Sequence, residues 1–381
     1  MRRLKFCATF MATVTVARPQ TNVEPQGKWL FSATTDLSVF LGSALLAMIA
    51  LGIGAWAGVF HGSTPDWTWI PAVLLVDVAH VYSTGFRAYL DKTEFRGRPW
   101  LYSLVPVISL LVGIGLYAIG DHYGIGEITF WRILAYLAVF HFVRQQYGWV
   151  ALYRSRLGER DRFGYWLDSI TIYAATLYPL IYWHAHLPRR FWWFLTNDFA
   201  VVLPHGVDSY VAPLYWLILF SYAIRSVYVW IILRRPNPGK DIVVATTALC
   251  WYVGIVAFNS DYAFTVTNVL IHGIPYLALI YWYQRRQLNS SSSSLTKAFF
   301  AHGPYLFLGV LWFCAYAEEL VWDRAVWHDR AWFFGAGWNV DYLKLLFVPL
   351  LAVPQITHYV LDGFLWRRRA TPDLFKPSAK N

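Results

Sequence analysis

Long apolar runs dominate the pattern of hydrophobic and polar positions along this chain, and short polar segments separate them. Each run is nearly continuous over about 20 residues, the length that a helix needs to cross the hydrocarbon core of a bilayer. A membrane β-barrel would instead show shorter segments of alternating residues. The pattern therefore predicts an all-α fold, a polytopic integral membrane helix bundle of about ten transmembrane helices. The predicted spans are 38–60, 68–90, 100–119, 129–153, 166–184, 214–233, 241–258, 263–284, 304–320 and 340–366.

Basic residues alternate between successive loops, and this alternation predicts the orientation of the bundle. The two tails and the loops after spans two, four, six and eight each hold three to five Lys or Arg residues, whereas the five intervening loops hold none to two. Because cationic loops are retained on the cytoplasmic side, both termini are predicted to be cytoplasmic. The chain then divides into an N-terminal tail, 1–37, a single bundle, 38–366, and a C-terminal tail, 367–381. Residues 1–17 resemble a weak signal peptide, but the charge pattern favours a cytoplasmic tail.

Composition supports a membrane protein and excludes two other classes. With 57% hydrophobic and 14% charged residues, the chain is too apolar for a soluble globular protein. The cytoplasmic loops explain the net charge of +10, so no nucleic-acid partner is expected. Three cysteines without paired spacing indicate neither a disulfide framework nor a thiolate metal site. The expected location is a multi-pass position in the lipid bilayer, the inner membrane if the source is bacterial.

Four histidines lie well inside predicted spans, namely His80, His141, His272 and His358 in spans two, four, eight and ten. Ionisable residues within a span are costly in lipid, so they tend to face the bundle interior and to pair with one another. The four spans run in the same direction, so at least three of these imidazoles are predicted to meet at one point. Neutral imidazoles that converge from several helices can form a metal site in a helix bundle.

Further polar residues share the helical faces of these histidines. They are predicted to orient the imidazoles or to act as additional ligands. Three residues, Thr84, Gln145 and Asp362, each follow a histidine by four positions, one helical turn. The predicted set is Asp77, Gln145, Asn268 and Asp362.

Two arginines and two glutamates complete the list of charged residues that we interpret. Arg87 and Arg144 lie at or below the level of the histidines and are predicted to bind an anionic substrate headgroup near the cytoplasmic face. Glu318 and Glu319 end span nine and are expected at the outer surface.

The ligand types narrow the choice of metal and of protein class. Histidines with a carboxylate suit iron, with zinc, copper or haem as alternatives. The H-x-x-x-H and H-x-x-H-H boxes of membrane desaturases and hydroxylases do not occur, and neither does a c-type haem motif. The chain is similar to membrane carotenoid-cleaving dioxygenases only in scattering single histidines over several spans, and no motif matches residue by residue. Histidine pairs facing across a haem, as in transmembrane cytochromes b, could also be drawn from this set.

Three functions fit these observations. The leading hypothesis is a membrane metal-dependent oxygenase, hydroxylase or desaturase that acts on a lipid or isoprenoid and receives electrons from a cytoplasmic redox partner. The alternative is a secondary transporter or proton-coupled protein in which the intramembrane His, Asp and Arg residues form a relay. In a structural or assembly subunit, the same polar residues would join helices together.

Overall fold

The computed structural model describes residues 27–200, 202–288, 297, 299–300 and 303–366, and these residues form helices and connecting turns without a β-strand. Ten long helical segments follow one another within these described ranges, some of them with internal breaks. We number them α1 (Ala33–Ala57), α2 (Asp66–Ala88), α3 (Pro99–Gly120), α4 (Ile128–Arg156), α5 (Arg162–Ala185), α6 (Val207–Ile231), α7 (Pro238–Ala257), α8 (Asp261–Arg286), α9 (Pro304–Trp327) and α10 (Asp341–Leu365).

Eight of these segments, all except α4 and α5, are long and apolar enough to cross a membrane. They confirm the all-helical class and indicate a multi-pass membrane protein. Predicted spans four and five coincide with α4, which contains four arginines, and with α5, which contains Arg162 and Asp168 and many tyrosines. Ten crossings and cytoplasmic termini therefore stay predictions. Most of the predicted N-terminal tail, residues 1–26, and the whole predicted C-terminal tail lie outside the described residues.

The helices differ in how much of their apolar surface the protein itself covers. In α8, 89% of the most apolar stretch is buried, whereas in α6 only 11% is buried. Large apolar side chains such as Leu111 and Phe220 point outward from the peripheral helices α3 and α6. Lipid can cover such side chains at no cost in free energy. The bundle is thus built around α8, and α6 lies at its edge.

A close approach between α8 and α2 positions two of the histidines. Gly273 directly follows His272, and a Cβ atom at this position would lie 2.5 Å from the Cγ1 atom of Val76. Any larger residue at position 273 would separate the two helices. The glycine therefore brings His272 close to His80, which is one turn further along α2 than Val76.

Irregular turns precede three of the four histidines. Wider, π-helical turns span Trp69–Val78 in α2 and Thr265–Val269 in α8, each ending just before a histidine. α10 is interrupted between Leu351 and Val353, where Pro354 opens the segment that carries His358. Such interruptions rotate the following residues relative to a regular helix, and they are frequent at functional sites.

A candidate metal centre

The four histidines of α2, α4, α8 and α10 meet in the interior of the bundle. We call His80, His141, His272 and His358 the histidine centre. Each side chain is at most 4% exposed, and one ring nitrogen from each histidine lies within 4.8 Å of those of the other three. The predicted convergence is therefore confirmed, and the group could hold a metal ion.

The separations of the ring nitrogens fit one shared ion. The Nε2 atoms of His80 and His272 are 3.1 Å apart, and those of His141 and His358 are also 3.1 Å apart. Four nitrogens bonded at about 2.1 Å lie roughly 3.4 Å apart around a tetrahedral metal, and neighbouring ligands of an octahedral metal lie roughly 3.0 Å apart. These two separations are close to both arrangements, and the ligand atoms of the whole set lie within 4.8 Å of one another.

The opposite ring nitrogens, Nδ1, face oxygen atoms in three of the four histidines. His358 Nδ1 lies 2.7 Å from the hydroxyl of Thr84. His80 Nδ1 lies 3.6 Å from Asp77, and His141 Nδ1 lies 3.9 Å from Asp362. The acceptor at His358 Nδ1 favours the tautomer with the proton there, which leaves the Nε2 lone pair of His358 free to face the centre. The carboxylates near His80 and His141 are beyond hydrogen-bond distance, and His80 Nδ1 has no hydrogen-bond partner among the described residues.

The fourth histidine, His272, is held by ring stacking. Its ring lies nearly parallel to that of Phe142, with centroids 3.5 Å apart. Its Nδ1 atom is buried and has no hydrogen-bond partner among the described residues. Stacking therefore fixes the plane of this imidazole, while its tautomer is left to whatever its Nε2 atom binds.

A chain of hydrogen bonds connects two residues of α10, Asp362 and His358, through one residue of α8 and one of α2. The carboxylate of Asp362 accepts hydrogen bonds from the Tyr276 hydroxyl and, at 2.9 Å, from the indole of Trp366. Because the Tyr276 hydroxyl uses its hydrogen for the bond to Asp362, its oxygen accepts a hydrogen bond from the Thr84 hydroxyl, 2.9 Å away. Thr84 must then accept from His358 Nδ1–H. An ionised Asp362 thus determines that the Nε2 atom of His358 carries a lone pair.

This arrangement favours a bound cation. Two Nε2 lone pairs that face each other in an apolar interior repel unless a proton or a metal ion lies between them, and a metal ion would bind both nitrogens of each pair. Asp77 and Asp362 are placed behind two of the rings, and their ionised forms would supply two negative charges to balance a divalent ion. The donor set therefore fits a metal that prefers imidazole.

Two of the predicted partner residues do not contact an imidazole. Gln145 donates to the backbone carbonyl of His272 at 2.8 Å, so it joins α4 to α8 beside the centre. The amide of Asn268 donates to Phe264 and Thr267 of its own helix. Asn268 thus forms no hydrogen bond to a histidine ring among the described residues, and its role beside the centre stays a prediction.

The two predicted headgroup arginines lie in different surroundings. Arg87 is buried, forms ion pairs with Asp91 at 2.8 Å and Glu94 at 2.7 Å, and lies over the ring of Tyr283. Its charge is therefore already matched within the protein. Arg144 is exposed and donates to the hydroxyl of Tyr173. Of these two arginines, Arg144 lines the cavity described next and Arg87 does not.

A cavity of about 1230 Å³ adjoins the centre and extends along α4, α5 and α10. Among the four histidines, only His141 lines it. Its walls near the centre also include Tyr276, Tyr359 and Asp362, and at its far end lies the turn between α4 and α5 with Arg160 and Arg162. The cavity thus joins the histidine centre to one surface of the bundle.

One further expectation is wrong. Glu318, expected at the outer surface, is only 6% exposed and accepts hydrogen bonds from the indole of Trp322 at 3.1 Å and from Gln355 at 3.3 Å. Trp322 lies one turn further along α9, and Gln355 comes from α10. A glutamate at the end of an apolar run can face the interior of the bundle when a neighbouring helix offers a hydrogen-bond donor.

Comparisons with known proteins leave the site to be interpreted from its own residues. The chain matches no protein-family model, no curated protein and no solved structure.

Proposed function

We propose that this protein is a membrane-embedded oxidoreductase in which the histidine centre binds iron and acts on a lipid or isoprenoid substrate. One observation carries the proposal: an interior site with four histidines opens, at His141, into a large cavity with mostly apolar walls. A buried metal without such a cavity would fit a structural role equally well. Access for an apolar molecule favours chemistry.

The donor set supports iron among the metals that bind imidazole. Four neutral nitrogens with carboxylates held behind them leave room for further ligands, which a redox-active iron can use to activate oxygen. Zinc would accept the same nitrogens but has no redox chemistry of its own.

The proposed reaction inserts oxygen into an unactivated C–H bond. The C–H bond breaks, a C–O bond forms with one atom of O2, and the other oxygen atom leaves as water. Two protons and two electrons balance the reaction, and a reduced electron-transfer protein on the cytoplasmic side supplies the electrons. A desaturation that uses the same O2, protons and electrons removes two hydrogens from the substrate and yields two waters.

The experiment compares lipids from membranes that contain the wild-type chain or His141→Ala, incubated under O2 enriched in oxygen-18. We expect lipid species that carry oxygen-18, or that have lost two hydrogens, with the wild type and at least about tenfold less with the variant, since His141 is the histidine at the cavity. Identical lipid profiles for the two proteins would contradict the proposal.

A proton-coupled transporter is the second candidate, and the hydrogen-bond chain from His358 to Asp362 favours it. Such a chain can pass a proton along a defined path. Removal of metal distinguishes the two functions: the transporter would keep pH-driven uptake in vesicles after chelation, whereas the oxidoreductase would lose its product.

A further inference from the structure

Arg144 carries a charge that the described part of the protein does not match. Its guanidinium donates to the Tyr173 hydroxyl and lies over the ring of Tyr147, 5.0 Å from the centroid. No carboxylate of the described residues lies within ion-pair distance, 4.0 Å, of it. Arg87 and Arg225, in contrast, each pair with a carboxylate. Where its exposed side meets acyl chains and not water, such a cation is costly unless an anion approaches it.

Arg144 is close to the histidine centre along the same helix. It follows His141 by three residues, so the two share a face of α4 and are separated by about 4.5 Å along the helix axis. Both line the cavity. An anion bound to Arg144 would therefore place the atoms next to it beside the centre.

The cavity also has an apolar opening one helical turn from Arg144, at the level of His141. Phe140 and Leu177 line it, yet they are 61% and 45% exposed, so this part of the wall faces the surroundings between α4 and α5. In a bilayer those surroundings are acyl chains. A long apolar chain can enter sideways here without crossing a polar surface.

We propose that the cavity binds an amphiphile whose anionic head group, a carboxylate or a phosphate, pairs with Arg144 and whose apolar chain lies along Phe140 and Leu177. The planar guanidinium matches both anions in bidentate geometry, whereas a neutral head group would leave the charge unmatched. This part of the inference rests on the proposed function: the carbons that react are among the first few carbons of the chain after the head group. Binding itself does not depend on that function.

The test measures binding of three radiolabelled probes with the same sixteen-carbon chain: hexadecanoate, hexadecyl phosphate and hexadecanol. The full-length protein is reconstituted in nanodiscs of neutral phosphatidylcholine, and Arg144→Gln is compared with the wild type. Arg160→Gln, which removes a charge at the far end of the same cavity, is the matched control. Arg144→Lys keeps the charge. Thermal unfolding of each variant checks that it is folded.

We expect the wild type and R160Q to bind at least one anion about tenfold or more tightly than the alcohol, as for a charge-assisted hydrogen bond. In R144Q the ratio of the anion affinity to the alcohol affinity should fall to about one, while the alcohol binds as in the wild type. R144K should retain most of this ratio. The stronger anion identifies the head group as carboxylate or phosphate. Equal binding of all three probes by the wild type, or an unchanged ratio in R144Q, would overturn the inference.

Metal analysis of the same preparations separates this inference from the proposed function. If R144Q loses the preference for the anion while the wild type contains no metal, the amphiphile site is supported and the proposed oxidoreductase function is contradicted. If metal is present and the ratio is absent, the metal centre stands and the substrate must be neutral.

Discussion

The histidines of the centre are oriented by residues from neighbouring helices. Thr84 of α2 lies at Nδ1 of His358 in α10, and Asp362 of α10 faces Nδ1 of His141 in α4. Tyr276 of α8 joins the two by hydrogen bonds. Three of the four imidazoles are thus oriented across a helix interface, whereas His80 faces Asp77 of its own helix. A metal bound at the centre would therefore also hold the bundle together.

The first prediction concerns Asp362. Asp362→Asn keeps the volume of the side chain and an oxygen that can accept from Tyr276 and Trp366, but it removes the charge and the second oxygen, which faces His141 Nδ1. We expect about a 10–100-fold loss of metal affinity with the fold retained, measured by metal titration of the stripped protein. Asp341→Asn, at an exposed carboxylate paired with Lys344, is the control and should bind as the wild type does. Unchanged affinity in D362N would show that Asp362 does not act on the centre.

At the scale of the helices, a buried ionic network fixes the end of the cavity that is remote from the centre. Asp168 of α5 is fully buried and pairs with Arg154 of α4 and, at 2.9 Å, with Lys240 of α7. Arg225 of α6 lies 3.5 Å from its second oxygen. One carboxylate thus holds three cations from three helices.

The second prediction follows from this network. Asp168→Asn leaves buried cations with too little negative charge, and we expect a loss of about 3 kcal/mol or more in the free energy of unfolding, seen as a lower melting temperature in detergent. Asp161→Asn removes an exposed partner of Arg225. In the wild type, the hydrogen bond that Arg225 donates holds the pKa of the Asp161 carboxyl below its usual value. That variant should change stability by less than about 1 kcal/mol. Equal losses in both variants would argue against a special role for the buried carboxylate.

The helices were predictable from the sequence because hydropathy acts locally, and their irregularities were not. Continuous apolar runs predicted all ten long helical segments of the described residues, with their ends displaced by up to seven residues, as at Val207 and Trp327. The first begins at Ala33 rather than 38, since the hydroxyl of Ser32 caps its end by accepting from the Thr35 amide at 3.1 Å. The inward turn of Glu318 depends on a donor from α10, and no local pattern encodes such a partner.

The site was predictable in part for the same reason. A histidine in a membrane span stands out, so all four members of the centre could be predicted from single positions. Thr84, Gln145 and Asp362 were noted as residues one turn after a histidine, and Tyr276 has the same spacing from His272. It was missed because a tyrosine is unremarkable in a chain with 25 of them. Which ring each partner serves follows only from how the helices pack.

At the scale of the whole molecule, the third prediction is the orientation in the membrane. In a background with Cys7, Cys250 and Cys314 replaced by serine, we place single cysteines at Arg160 and Thr196, both exposed in turns at the two ends of α5. The alternation of basic loops predicts that a membrane-impermeant maleimide labels position 196 from outside and position 160 only after permeabilisation. The reverse pattern would invert the bundle, and labelling of both from one side would rule out a crossing by α5.

The central claim is that four helices bring four histidines together to bind a metal, and metal analysis of the purified protein tests it most directly. The protein is prepared in detergent without chelator, beside a variant with both His141→Ala and His358→Ala and a control with His122→Ala in the turn before α4. We predict about one iron per chain in the wild type and the control and less than about 0.2 in the double variant. A wild-type content below about 0.2 metal ions per chain, unchanged in the double variant, would contradict the claim.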